Sequence, residues 1–205
     1  MANTNEQTYL PMVGVDMLHY AKITADTASA FSTATPISVP GATEVGFNQN
    51  GTVSTFYADN KPYDTATAPG DLDVAVACAD VTPAMRADIY GDTYGADGLL
   101  SGGELNAPYI AWAYRVMKSN GAYRYVRVFK TKAIPNDQKF QTKGGSINFQ
   151  TNGFSAKGAC RALDGQAFEM LDSDDPKLPS GVTPAIIEQK WFSDFSWRPS
   201  TNTSK

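Results

Sequence analysis

Apolar and polar positions alternate with a period of two along most of the chain, the pattern of strands that bury one face and leave the other wet. The cleanest run is residues 71–81, with Leu72, Val74, Val76 and Cys78 on one face and Asp71, Asp73, Ala75, Ala77 and Ala79 on the other. Residues 109–118 and 122–132 form a second alternating pair around Ser119-Asn120-Gly121, an Asn-Gly hairpin signal. Ile110, Trp112, Tyr114 and Val116 share one face there, and Tyr123, Tyr125 and Phe129 share one on the returning strand. Within residues 42–59, Asn50-Gly51 predicts another hairpin turn, with Thr43, Val45 and Phe47 facing the core and Glu44, Gly46 and Asn48 on the polar side. Residues 146–152 alternate Ser146, Asn148, Gln150 and Asn152 against Ile147, Phe149 and Thr151, which predicts a third hairpin with residues 154–163. Residues 9–24 and 166–171 supply further strand-like pieces, and 24–36, rich in Ala, Ser and Thr, reads as an exposed excursion.

Two places break this period. Thr82 at an N-cap position, Pro83 at the first helical position and Gly91 after Tyr90 bracket a short helix with Met85 and Ile89 stacked four apart. Thr183-Pro184 opens a second, carrying Ile186, Ile187, Trp191 and Phe195. About seven strands, three hairpins and two short helices predict a mainly β fold, an antiparallel sandwich or barrel. One domain is expected over 1–198, with an N-terminal arm, two long loops at 60–70 and 91–108, and a polar tail at 199–205. Loops this long are functional or disordered more often than not. Tyr63 on the first and Tyr94, Leu99 and Leu100 on the second are candidates for burial against another chain, or for folding back on their own domain.

Composition narrows the function classes. The 205 residues are 42% hydrophobic and 19% charged, with a mean hydropathy of −0.31, values of a folded rather than a disordered chain. Seventeen basic against 21 acidic residues give a net charge of −4, the wrong sign for gripping phosphates. No apolar run approaches the roughly 20 residues of a membrane helix, and the start lacks a basic segment followed by an apolar one, so a soluble, non-exported chain is expected. Cys78 and Cys160, far apart, read as reduced and buried, with a long-range disulfide as the other option.

The catalytic inventory is thin. His19 is the sole histidine, between Leu18 and Tyr20, and no H-x-x-x-H, G-x-S-x-G or C-x-x-C occurs. A hydrogen-bonded strand histidine is the reading for His19. Asp172, Asp174 and Asp175 lack the glycine and distal glutamate of an EF-hand and read as an acidic turn. The doublets at 102–103 and 144–145, the latter after Lys143, are not phosphate loops. No enzyme, cofactor or metal site is expected.

Several short motifs in order carry a resemblance: Met1-Ala2-Asn3-Thr4-Asn5, Val39-Pro40-Gly41-Ala42, Phe56-Tyr57-Ala58-Asp59-Asn60, Gly70-Asp71-Leu72 entering a strand, and Thr142-Lys143-Gly144 before Ile147-Asn148-Phe149. Together, across roughly residues 1–195, they resemble the major tail proteins, or tail tube proteins, of long-tailed bacteriophages with non-contractile tails. The resemblance implies a β-sandwich subunit forming a hexameric ring whose strands make a continuous barrel, rings stacking helically into the tail tube. It implies as partners further copies of the chain, a tape measure protein in the lumen, tail-tip and tail-terminator proteins, and double-stranded DNA passing during ejection without specific binding. It implies a virion structural protein, assembled in the host cytoplasm, with no membrane insertion.

Two physical points agree with a conduit. Sixteen to eighteen strands leave only a modest aqueous channel, so one chain with about seven cannot enclose duplex DNA and an oligomer is required. A wall that lets phosphates slide past must be neutral or acidic. The polar strand faces offer Glu44, Asn48, Asp71, Asp73, Asn148 and Gln150 as candidate lumen-facing residues, or as the outer solvated face of a sandwich. The alternatives are the inner tube of a contractile tail or secretion system, and a carbohydrate-binding or adhesin module using Tyr94, Trp112 and Tyr123 as sugar-stacking rings.

Overall fold

A computed structural model describes residues 9–136, 142 and 151–200. Eleven strands and two helices are described in chain order: β1 (Met12–Asp26), β2 (Phe31–Thr33), β3 (Ile37–Ser38), β4 (Ala42–Ala58), β5 (Lys61–Cys78), α1 (Pro83–Tyr90), β6 (Thr93–Tyr94), β7 (Leu100–Ser101), β8 (Ile110–Lys118), β9 (Tyr123–Ile134), β10 (Asn152–Gly158), β11 (Phe168–Asp172) and α2 (Pro184–Ser193). The main sheet is antiparallel in the order β2-β1-β8-β9-β10-β5-β4, with β11 on the first half of β9 and β3 on β1. β6 and β7 form a separate small hairpin.

The sheet curls, bringing β1 against β4, and its inner face closes on one core. The alternation at 71–81 works as the pattern predicts: Leu72, Val74, Val76 and Cys78 are buried in that core. Trp112 stacks on Phe154 at 4.8 Å and donates from Nε1 to Thr131 Oγ1 at 2.8 Å, so its one polar atom is satisfied in the interior. Helix α1 closes one side with Met85, Ile89 and Tyr90. Its ends follow the sequence signals, Thr82 Oγ1 accepting from the Met85 amide at 3.3 Å. Gly91 ends it at φ 79°, where a Cβ would also lie 2.3 Å from the Asn106 carbonyl.

A second core lies on the opposite face of β1, β8 and β9, where Tyr125, Phe129 and Ala113 meet Ile187, Trp191, Phe192 and Phe195 from α2 and the turn after it. The faces predicted for the 109–132 hairpin are those observed, one to each core. Phe31 on β2 also reaches this second core, so the 24–36 excursion is partly strand and anchored.

Three expectations are overturned. Asn50-Gly51 is not a turn: β4 runs through it with a bulge, and the chain reverses at Asp59-Asn60, both at positive φ (51° and 60°), as a two-residue hairpin loop requires. The segment 60–70 is therefore not a loop: after the turn residue Asn60 it is the first half of β5. The cross-strand pairs decide the register, since this one sets Val45 opposite Val76 and Phe47 opposite Val74. Cys160 is exposed rather than buried, and both cysteines are free.

Candidate functional site

The long hairpin leaves the body of the molecule. From Gly51↔Pro69 to Ala58↔Lys61, eight paired positions form a two-stranded arm about 25 Å long at 3.2–3.4 Å per residue. Nearly every residue on it is exposed, including Val53, Phe56, Tyr57 and Tyr63. Phe56 and Tyr63 pack edge to face at 6.3 Å, an aromatic cluster at the tip with no core beneath it. Along β4 the devices that protect an edge strand are nearly missing: it has no lysine and no proline, and Glu44 is its one charge. It pairs with β5 on one side alone.

At the base of the arm, Asn48, Asp71 and Asp73 share the outer face of β4 and β5, Asn48 directly opposite Asp73. Two residues not foreseen join them. Lys157 on β10 donates to Asp73 at 2.9 Å and reaches Asp71 at 3.4 Å. Asn50, freed by the bulge, donates to Asp73 Oδ2 at 2.6 Å and accepts from Asn48 at 2.8 Å. The hydrogen bond from Lys157 and then that from Asn50 hold the Asp73 carboxyl below its usual range, and Asp73 in turn raises the Lys157 ammonium. The face is thus acidic but charge-compensated, and Lys157 could be found only once β10 was known to pair with β5. Beside this cluster a shallow depression of about 460 Å³ is floored by Gly46, Ala75 and Ser155.

Glu44 is on the same face of β4, opposite Ala77, and lines a cleft of about 480 Å³ with Arg86, Tyr90 and Leu100. Asn148 and Gln150 lie outside the described residues, as does Lys143 with its glycine doublet. Tyr94 and Leu99 are exposed on and beside the β6–β7 hairpin, and Leu100 is half-buried. Tyr63 is exposed too, although on the arm rather than on a loop.

The remaining candidates are held inside the molecule. Trp112 is wholly buried and presents no ring to a sugar. His19 donates from Nδ1 to the Met17 carbonyl at 2.8 Å and stacks on Phe192 at 4.7 Å. Asp172 is buried between Lys118 (2.7 Å) and Arg124 (2.6 Å), and Asp174 binds Lys118 at 2.6 Å, so the acidic turn is an ion-paired anchor. Among the described residues no group of His, Cys, Asp or Glu is placed to hold a metal ion, and no helix is long and apolar enough to cross a membrane. What these surfaces offer chemically is association: a strand edge, an aromatic tip and a compensated polar face.

No protein-family model matches the chain, and no curated protein matches it significantly.

Proposed function

We propose that the chain is a structural subunit of a phage tail tube, forming hexameric rings that stack into a conduit for genome delivery. The observation that carries this reading is the β4–β5 arm. A lone two-stranded hairpin is marginal in water, and one with an aromatic tip has no reason to leave the body of a monomer unless another surface receives it. The resemblance of the short motifs to tail tube proteins gives that surface an identity, another copy of the chain.

The interior of one chain is filled by Leu18, Trp112 and Phe154, so any channel lies between copies. In a ring, the compensated face of Asn48, Asp71, Asp73 and Lys157 suits a lumen wall, because its lysine is already occupied by two carboxylates and does not capture phosphates. Six copies at −4 each carry −24 per ring, which repels DNA from the wall. The tape measure protein fills the lumen before ejection on this reading, and tail-tip and terminator proteins bound the tube. The subunit has no catalytic role and takes no cofactor.

Negative-stain electron microscopy of purified chain across a concentration series tests the reading. Rings or tubes with a stain-filled channel are expected. Particles that stay monomeric at every concentration, even with tail-tip components added, contradict it.

A further inference from the structure

We propose that two free copies pair antiparallel through the β4 edges of their arms, about a two-fold axis at Thr55. The pairing itself stands apart from the tube reading. Its consequence, that paired chains are withheld from ring assembly because the ring needs the same arm, rests on that reading.

The two edges of the arm are unlike. On the β5 side, β10 pairs only from Leu72 to Cys78, so the arm stretch of β5 has a free edge. That edge carries Pro62 and Pro69, which have no N–H to offer, together with Lys61 and Asp64. On the β4 side, Gly51 to Ala58 hold no proline and no charge, and among the described residues their backbone groups bond to β5 alone. Thr52-Val53-Ser54-Thr55-Phe56-Tyr57-Ala58 is rich in strand-forming residues and has no charge, proline or glycine, the composition of a segment that pairs with a copy of itself. An edge like that of β5 would leave bonds unmade at its prolines, whereas a second β4 offers a full row of donors and acceptors.

Pairing also answers the weakness of the arm. Two strands alone are marginal in water, and three or more are needed for stability. Two arms side by side give the four-stranded order β5-β4-β4-β5 with the proline-bearing edges outermost, so the sheet stops at two copies. A two-fold axis normal to the sheet pairs odd positions with odd and even with even, which keeps each side chain on its own face. Centred on Thr55, it sets Thr55 opposite Thr55, Val53 opposite Tyr57 and Ser54 opposite Phe56, one threonine pair and two pairs of a β-branched with an aromatic residue. Charges stay apart. The two turns with Asp59 and Lys61 lie at opposite ends of the seam, about 26 Å from each other at 3.2–3.4 Å per residue. The two Asp64 side chains are three strand spacings apart, about 14 Å, beyond the screening length of about 10 Å at 0.1 M salt.

Two full-length variants at one exposed position test this. Thr55→Lys and Thr55→Glu each place like charges opposite one another at the axis. Sedimentation equilibrium of the wild type, below the concentration at which rings form, should give twice the 22.0 kDa of one chain. Each variant alone should melt like the wild type and raise the dimer dissociation constant about tenfold or more. Mixed in equal amounts they should dimerise at least as tightly as the wild type, since lysine then meets glutamate, and that recovery shows that both are folded. A Thr55→Lys chain that dimerises like the wild type overturns the pairing, as does a mixture that stays monomeric. A wild type that passes from monomer to rings with no dimer between also overturns it and leaves the tube reading standing. Dimers that obey the charge swap and never give rings at any concentration keep the pairing and remove the conduit.

Discussion

Arg127 is a cation buried in the second core, its guanidinium 3.8 Å from the Trp191 ring and bonded to three backbone carbonyls, those of Trp191 (2.8 Å), Asp194 (2.8 Å) and Trp197 (2.6 Å). Trp191 lies in the last turn of α2, where carbonyls lack helical partners, and Asp194 and Trp197 lie at and just past its end, so one side chain closes α2 and the turn after it. Burial pushes its pKa down to about 9, which still leaves it charged at neutral pH. Arg127→Met is expected to cost about 3 kcal/mol in urea unfolding, because it strands buried acceptors. A loss under about 1 kcal/mol would mean that the apolar face alone holds α2. Asp172 makes a second prediction. Burial raises its carboxyl, but hydrogen bonds from Arg124 and Lys118 with their charges outweigh this and hold it below the usual range. A carboxyl lowered in the folded state stabilises the fold above its unfolded pKa of about 3.9 and loses that contribution as pH falls through the folded value. Asp172→Asn should therefore flatten the acid limb of the stability–pH curve below about pH 4, as read by thermal melts. An unchanged limb would place the acid sensitivity elsewhere. Neither Arg127 nor Lys118 was legible as a buried residue, since in an alternating strand a charged position reads as solvated and these partners lie 54 to 70 residues away. The α1 cap was legible because its donors and acceptors are neighbours in sequence.

Among the elements, the arm differs most from what the local pattern predicts. Asn50-Gly51 and Asp59-Asn60 both carry hairpin chemistry, and local preference alone favours the first. Long-range pairing chose the second, because it alone sets Val45 and Phe47 beside the apolar face of β5, and it turned Asn50 into a bulge residue bound to Asp73. Strand identity at 71–78 and 109–132 was legible because each burial face repeats over several residues; the arm buries neither face and gives no such signal. Lacking a core, the arm should be the least protected part of the sheet in the free subunit. Hydrogen exchange should show fast exchange at residues 52–68 in dilute protein and strong protection after assembly, against uniformly slow exchange on β8 and β9. Equal protection of the arm in both states would contradict its role as a docking element.

The whole molecule combines a closed interior with open attachments. Nothing passes through the packed core of one chain, and in the proposed ring the face at the base of the arm, where Lys157 is paired with Asp71 and Asp73, would line the channel. Asp71→Lys with Asp73→Lys should therefore leave assembly intact, since neither residue is on the arm, yet place unpaired lysines beside Lys157 and slow DNA passage. Virions carrying both changes should deliver DNA poorly, and normal infectivity would remove this face from the lumen. In the proposed assembly the arm joins one copy to the next. Its most direct test is the light-scattering mass, over a concentration series, of the natural chain and of one in which a two-residue Asn-Gly turn replaces residues 52–68. The natural chain, 22.0 kDa per copy, should grow into rings and tubes, while the shortened one, 15 residues smaller, should stay a folded monomer of about 20 kDa. A shortened chain that reaches the same mass as the natural one would contradict it.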